Sequence, residues 1–175
     1  MARKLRGTEK MQTRNCMGLI LICLASALPT AFAHAQTVTG RASVVDGDTI
    51  EIAGERIRLH GIDAPESGQR CQDKAGRAYR CGQVAANALD AFLAQSRPIS
   101  CRFVERDRYR RFVGDCYRAD GASVAAWMVR NGHALDWPRY SRGAYAADQA
   151  EARRVGAGMW QGRYVEPWEW RRGAR

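Results

Sequence analysis

The chain opens on a basic segment, continues into one long apolar run, and only then settles into short-period alternation. Arg3, Lys4, Arg6, Lys10 and Arg14 precede an apolar stretch from Met17 to about Ala33, closed by Ala33-His34-Ala35. A basic start, an apolar middle and an A-x-A end predict a secretory signal over residues 1–35, with Met11 as an alternative start. The run is short for a bilayer span and holds Pro29, which weighs against an uncleaved anchor. Beyond it, residues 37–45 are rich in Val and Thr and read as a strand. Asp46-Gly47 is a hairpin-type turn, residues 48–53 alternate, and Gly54-Glu55 turns the chain again. A third strand over 56–62 places Arg56, Arg58 and His60 on one face and Ile57 and Leu59 on the other. Residues 63–81 are irregular. Val84, Leu89, Phe92 and Leu93 fall near helical spacing and predict a helix over 82–95. Strands are predicted over about 99–105 and 112–119, with the charged segment ERDRYRR between them. A helix over about 122–131 ends at Asn131-Gly132, and another over about 143–156 ends at Gly156 or Gly158. Trp160, Trp168 and Trp170 in the tail read as core or docking residues. Three strands, a helix, two strands and two helices define a small α+β domain. Five strands suffice for a closed barrel of the OB type.

Composition adds a compartment and a class of partner. Of 28 basic and 18 acidic residues, five basic and one acidic lie in the first 35, which leaves the remainder a net charge of +6. In that remainder Lys74 is the single lysine. Arginine is the better two-pronged phosphate donor, although a GC-rich genome also favours it. The positive balance suits a polyanionic partner. Cys71, Cys81, Cys101 and Cys116 remain after the signal, an even number that suggests two disulfides in an exported chain. Three pairings are open, and the spacing, without any C-x-x-C, argues against zinc.

The chemistry concentrates in three short segments. Asp46-Gly47-Asp48-Thr49 sits at a turn. Arg58-Leu-His-Gly-Ile-Asp63-Ala64-Pro65-Glu66 ends a strand in two carboxylates across a proline bend. If Asp48 faces the same cavity, three carboxylates converge with Arg58. Oxygen-only ligands of that kind favour Ca²⁺ or Mg²⁺ over zinc. Asp107-Arg108-Tyr109-Arg110-Arg111 is dense in phosphate donors. Each segment alone has an ordinary reading as a turn, a surface ion pair or a solvated charged hairpin.

Together and in this order, DGDT, R-x-x-G-I-D-A-P-E and D-R-Y-x-R resemble the thermonuclease (staphylococcal nuclease-like) family. The likeness runs through most of 43–161, including the NGHA segment and Gly158-Met159-Trp160. It implies a five-stranded OB barrel with three helices over 36–175, with a core of about 41–162 and a Trp-rich tail, 163–175. It also implies a sugar-nonspecific nuclease that acts on DNA and RNA, with single strands preferred, and leaves 3′-phosphate and 5′-hydroxyl ends. By this resemblance Asp48, Asp63 and the carbonyl of Ala64 ligate one Ca²⁺ (Mg²⁺ or Mn²⁺ being alternatives), with Asp46 behind them. Arg58 and Arg111 grip the scissile phosphate and Glu66 serves as general base. Arg108, Tyr109 and Tyr140 bind neighbouring parts of the substrate. A monomer, periplasmic or secreted and free of membrane once the signal is removed, completes the expectation. A degenerate member that binds nucleic acid without cutting it is the alternative.

Three departures from the family pattern stand out. Arg110 occupies a position usually held by glycine, which suggests an unusual backbone angle or a close approach there, so Arg110 could alter the loop's shape or add a phosphate contact. Pro138 stands where a stacking tyrosine is expected, with Trp137 beside it as a substitute. The cysteines are the third. Cys101 and Cys116 fall on adjacent strands, which favours Cys101–Cys116 and Cys71–Cys81 over the other pairings.

Overall fold

The computed structural model describes residues 36–175; the predicted signal, 1–35, lies outside the described residues. In chain order the elements are β1 Thr37–Gly40, β2 Ala42–Asp46, β3 Thr49–Ile52, β4 Glu55–Leu59, β5 Ile62–Asp63, β6 Cys71–Gln72, β7 Ala78–Tyr79 and α1 Cys81–Ala94. They continue with β8 Ile99–Arg106, β9 Phe112–Tyr117, α2 Val124–Arg130, β10 Leu135–Asp136, α3 Pro138–Ser141, α4 Ala146–Val155, a 3₁₀ turn Gly158–Gln161 and α5 Pro167–Trp170.

The principal sheet has the order β1-β8-β9-β4-β3-β2. Its two edges, β1 and β2, are separated by Arg41 alone, so one bent strand serves both edges and the sheet curls back on itself. Val38 pairs with Cys101 at one edge and Val44 with Ile50 at the other. The first predicted strand is therefore two, because a single straight strand cannot pair with β8 and β3 on opposite sides of a curled sheet. All neighbours run antiparallel except β4 and β9, which lie parallel with Arg58 opposite Val113. This is the α+β, OB-like architecture expected from the chain pattern, with the first of its five strands counted twice.

Burial follows the alternation. Ile57 and Leu59 point into the core, whereas Arg56 and Arg58 face outward. Ile50, Ile52, Ile99 and Phe112 join them from the other strands, and Leu89, Phe92, Val124 and Met128 close the core from α1 and α2. The third predicted strand stops at Leu59 and resumes at Ile62, because Gly61 adopts φ +77° and turns the chain. The short β5 then pairs with β10 rather than with the main sheet. The last long helix starts later than expected, at Ala146, after the separate single turn α3.

Two disulfides lock this frame. Cys101 and Cys116 are direct partners across β8 and β9, with Cα atoms 4.0 Å apart. Cys71–Cys81 ties the irregular segment after Glu66 to the first residue of α1. Both are the expected pairs, and they belong to an oxidising, extracellular or periplasmic setting. Among the described residues no helix is long and apolar enough to cross a membrane.

The tail is not loose. Gln72 N–H donates to the Arg163 carbonyl (2.7 Å), and the fully buried Gln69 donates through Nε2 to the Val165 carbonyl (2.6 Å). Trp168 of α5 stacks on Trp137, with centroids 6.0 Å apart at 17°. These contacts fold residues 162–172 back along the loop that carries Glu66.

Candidate active site

Asp48 closes the β2–β3 turn. Its N–H is held by Asp46 Oδ1 (3.0 Å), and its carbonyl accepts from Leu59 N–H at the end of β4 (2.8 Å). That second bond brings the turn against the strand carrying Arg58. The Arg58 guanidinium forks between Asp48 Oδ1 (2.8 Å) and Asp63 Oδ1 (2.7 Å). Asp48 Oδ2 also accepts from Ala64 N–H (3.1 Å), and Oδ1 from the Thr49 hydroxyl (3.1 Å).

A second arginine extends the chain of charges. Arg171, just past α5, donates from Nη1 and Nη2 to both oxygens of Asp63 (3.0 and 2.7 Å). Its Nη1 also reaches Glu66 Oε1 (2.7 Å). The site thus reads Asp48–Arg58–Asp63–Arg171–Glu66, with carboxylates and guanidinia alternating. Asp48, Asp63 and Glu66 thus converge with Arg58, but with guanidinia between the carboxylates. Among the described residues no group of three or more His, Cys, Asp or Glu side chains is disposed to hold a metal ion. The reason is electrostatic: like charges repel in a weakly screened interior, and guanidinia settle between them.

Burial tunes these groups. Asp48 is pushed up to about 7, because desolvation outweighs the Arg58 charge and Asp46 and Asp63 add like charge. Burial works against the charge of Arg171, but its bonds to Asp63 and Glu66 prevail and raise its pKa. Asp63 has 0% exposure and lies behind the two guanidinia.

In front of this network opens a cleft of about 780 Å³. Asp46, Asp48, Arg58, Ala64 and Glu66 line it, together with Arg108, Tyr109, Arg111 and Tyr140. Every residue singled out from the sequence for chemistry or substrate therefore meets in one place, with Asp63 immediately behind. Arg111 is aimed by Asp107, which accepts from its Nε (2.7 Å) and its backbone N–H (2.9 Å). Burial would raise Asp107, but the hydrogen bonds and charge of Arg111 hold its pKa below the usual carboxylate value. Tyr109 is 65% exposed, with the Arg108 and Arg111 guanidinia over its ring at 4.7 and 5.6 Å. Arg110 has φ +65°, a left-handed conformation, which is the unusual backbone angle, one of the two readings for that position. Pro138 starts α3. Trp137 packs edge-on against Tyr140 (4.5 Å), and Arg58 and Arg171 approach the Trp137 ring at 6.0 and 5.5 Å. Trp168, Arg171 and Arg172 also line the cleft, which sequence reasoning missed. Their signal, a Trp- and Arg-rich tail, is the same as that of a docking segment without chemistry.

A curled OB-like sheet presenting arginines over buried carboxylates defines a protein built to handle phosphate esters of nucleic acids. The comparisons make this specific: residues 56–162 match the family described as staphylococcal nuclease homologue, more than half of the chain, and the chain belongs to that family. It is 52% identical to the succinoglycan biosynthesis protein ExoI of Rhizobium meliloti (strain 1021) over 139 residues, 79% of this chain and 73% of that protein. It is 32% identical to an uncharacterized endonuclease of Escherichia coli over 164 residues, 90% of this chain and 97% of the relative. A probable staphylococcal-like nuclease of Oryza sativa, CAN1, is 35% identical over 131 residues, 74% of this chain and 36% of its own.

Proposed function

We propose that this protein is an exported, sugar-nonspecific nuclease that hydrolyses DNA and RNA to 3′-phosphate and 5′-hydroxyl ends with the help of Ca²⁺. The observation that carries this reading is the meeting of Asp48, Arg58, Glu66 and Arg111 in one cleft of about 780 Å³, on a domain of net positive charge.

The donor set suits a hard cation. Asp48, Asp63 and the Ala64 carbonyl offer oxygen only, and hard oxygen donors are what Ca²⁺, Mg²⁺ and Mn²⁺ prefer. Bound there, the ion supplies Lewis-acid stabilisation of the phosphate oxygens. The protein's own groups do the rest. Glu66 accepts a proton from the water that attacks phosphorus as the bond to the 5′ oxygen breaks, and the departing 5′ oxygen takes a proton from solvent water to become the 5′-hydroxyl. Arg58 and Arg111 stay protonated throughout and neutralise the charge that grows on the phosphoryl oxygens. Arg108, Tyr109 and Tyr140 line the cleft where flanking nucleotides would lie, and aromatic rings stack on any base, which suits an enzyme indifferent to sequence and to sugar. Unpaired bases reach such rings more readily, so single strands should be the better substrate. The mechanism uses no histidine: His60 lines the cleft but pairs with Asp115 (3.0 Å), and the His133 ring lies against Trp127 at 5.7 Å.

The test is cleavage of single-stranded DNA and RNA with Ca²⁺ or with chelator, followed by identification of the ends. Glu66→Gln should lower turnover by roughly 10²–10⁴-fold while cooperative unfolding is retained. Tight binding without cleavage under any divalent ion would move the protein to the class of nucleic-acid-binding domains. Undiminished turnover in Glu66→Gln would remove that residue from the mechanism.

A further inference from the structure

The family match ends at residue 162, yet the tail beyond it reaches the centre of the site. Arg171 takes both oxygens of Asp63 and one oxygen of Glu66. Asp63 has no exposed surface: Arg58 and Arg171 cover it. A cation that uses Asp63 must take an oxygen already engaged by Arg171, at hydrogen-bond distance from a positive charge. Glu66 Oε1 is likewise occupied by the Arg171 guanidinium (2.7 Å). Both contacts oppose the arrangement the reaction needs.

We propose that the C-terminal tail is a built-in competitor of the divalent cation: Arg171 closes the acidic site in the resting protein and must leave Asp63 and Glu66 before a cation can use them. The reading rests on the function proposed above. The tail is built for the task at both ends of its reach. Its base is anchored through Gln69 to Val165 and Gln72 to Arg163. Its last turn ends in a long side chain that is about one-third exposed and lines the cleft, with its guanidinium 5.5 Å from the Trp137 ring. The anchored base keeps Arg171 at high effective concentration, while the partial exposure lets the guanidinium swing out without unfolding the domain. Once released it faces the same cleft, where a substrate phosphate is its natural replacement partner. Asp63 then exchanges a guanidinium for the cation, and Arg171 exchanges a carboxylate for a phosphate.

The experiment is calorimetric titration of the oxidised protein with Ca²⁺, and separately with Mn²⁺, without nucleic acid. Wild type, Arg171→Met and Arg171→Lys are compared, and the cation-dependent rise in Tm is recorded for each. Arg171→Met should bind Ca²⁺ at least about tenfold more tightly than wild type, since a two-pronged ionic partner has been removed. Arg171→Lys, which keeps the charge but cannot hold three oxygens at once, should fall between them. Should Arg171→Met fold poorly, Arg171→Lys alone decides, because its affinity must still exceed that of wild type. Equal or weaker cation binding in the variants, with metal-dependent cleavage intact in wild type, overturns this inference and leaves the nuclease reading standing. Absence of both cation binding and metal-dependent cleavage in every form overturns the two together.

Discussion

Gly82, the second residue of α1, is where a single methyl group should disturb the site most directly. A Cβ built there lies 1.9 Å from the Glu66 carbonyl oxygen and 3.0 Å from Ser67 Cα. Carbon–oxygen contacts normally close at about 3.3 Å, so helix or loop must give by more than ~1 Å. The obstacle is backbone, and no side-chain rotation relieves it. The loop is also poorly able to retreat. The preceding residue, Cys81, is bonded to Cys71. Gln69 donates its N–H to the Glu66 carbonyl (2.7 Å) and its amide to Val165. Helix propensity alone would make Gly82→Ala stabilising by up to ~1 kcal/mol, while overpacking of this kind costs about 1–3 kcal/mol. The net expectation is a loss of about 1–2 kcal/mol, read as a lower urea midpoint at unchanged m-value. Because the displaced atoms carry Glu66, turnover on single-stranded DNA should fall by as much as ~10²-fold, the usual consequence of an ångström of misplacement. A Gly82→Ala protein that gains stability and cleaves normally would refute the reasoning. It would mean that the loop moves freely and that α1 does not position Glu66.

Two further outcomes follow from the frame. Replacing Cys101 and Cys116 together by alanine reopens a loop with sequence separation 15 and should cost about 3 kcal/mol on chain entropy, measured by denaturant unfolding; a loss below ~1 kcal/mol would contradict that account. The desolvated His133 has its pKa lowered from 6.5, so the unfolded chain takes up a proton there before the folded one does. Its contribution is therefore present above about pH 6.5 and declines as pH falls below it. Thermal melts of wild type and His133→Gln should converge on acidification from pH 7.5 to 5, and parallel profiles would remove His133 from the pH dependence.

Much of the molecule was legible in one dimension because the signals are local. Alternation through Arg56, Ile57, Arg58 and Leu59 placed the arginine outward and the aliphatics inward, and the burial agrees. At Arg110 the pattern left an unusual backbone angle or a close approach open, and the φ of +65° is the first of these. Cys101 and Cys116 were expected to meet because they fall on successive strands, where register is the only unknown, and the register opposes them directly. The residues nominated for the site were found in one cleft for a related reason. Asp48 and Arg58 lie within one meander and Asp63 follows it directly, where short turns leave the chain few alternatives.

What escaped is long-range. The break at Arg41 exists because the sheet curls, and no hydrophobic pattern in residues 37–45 records that curl. Arg171 meets Asp63 across 108 positions, and nothing in WEWRR distinguishes an arginine that closes an acidic site from one in water. The sequence by itself determined the strands, the outward arginines, the carboxylates at their ends and the oxidising frame, since each depends on neighbours a few residues apart. Tertiary structure alone decided that guanidinia separate the carboxylates and that the tail supplies one of them. Charge pairing in a weakly screened interior depends on distance in space and burial, and neither is written in the order of the residues.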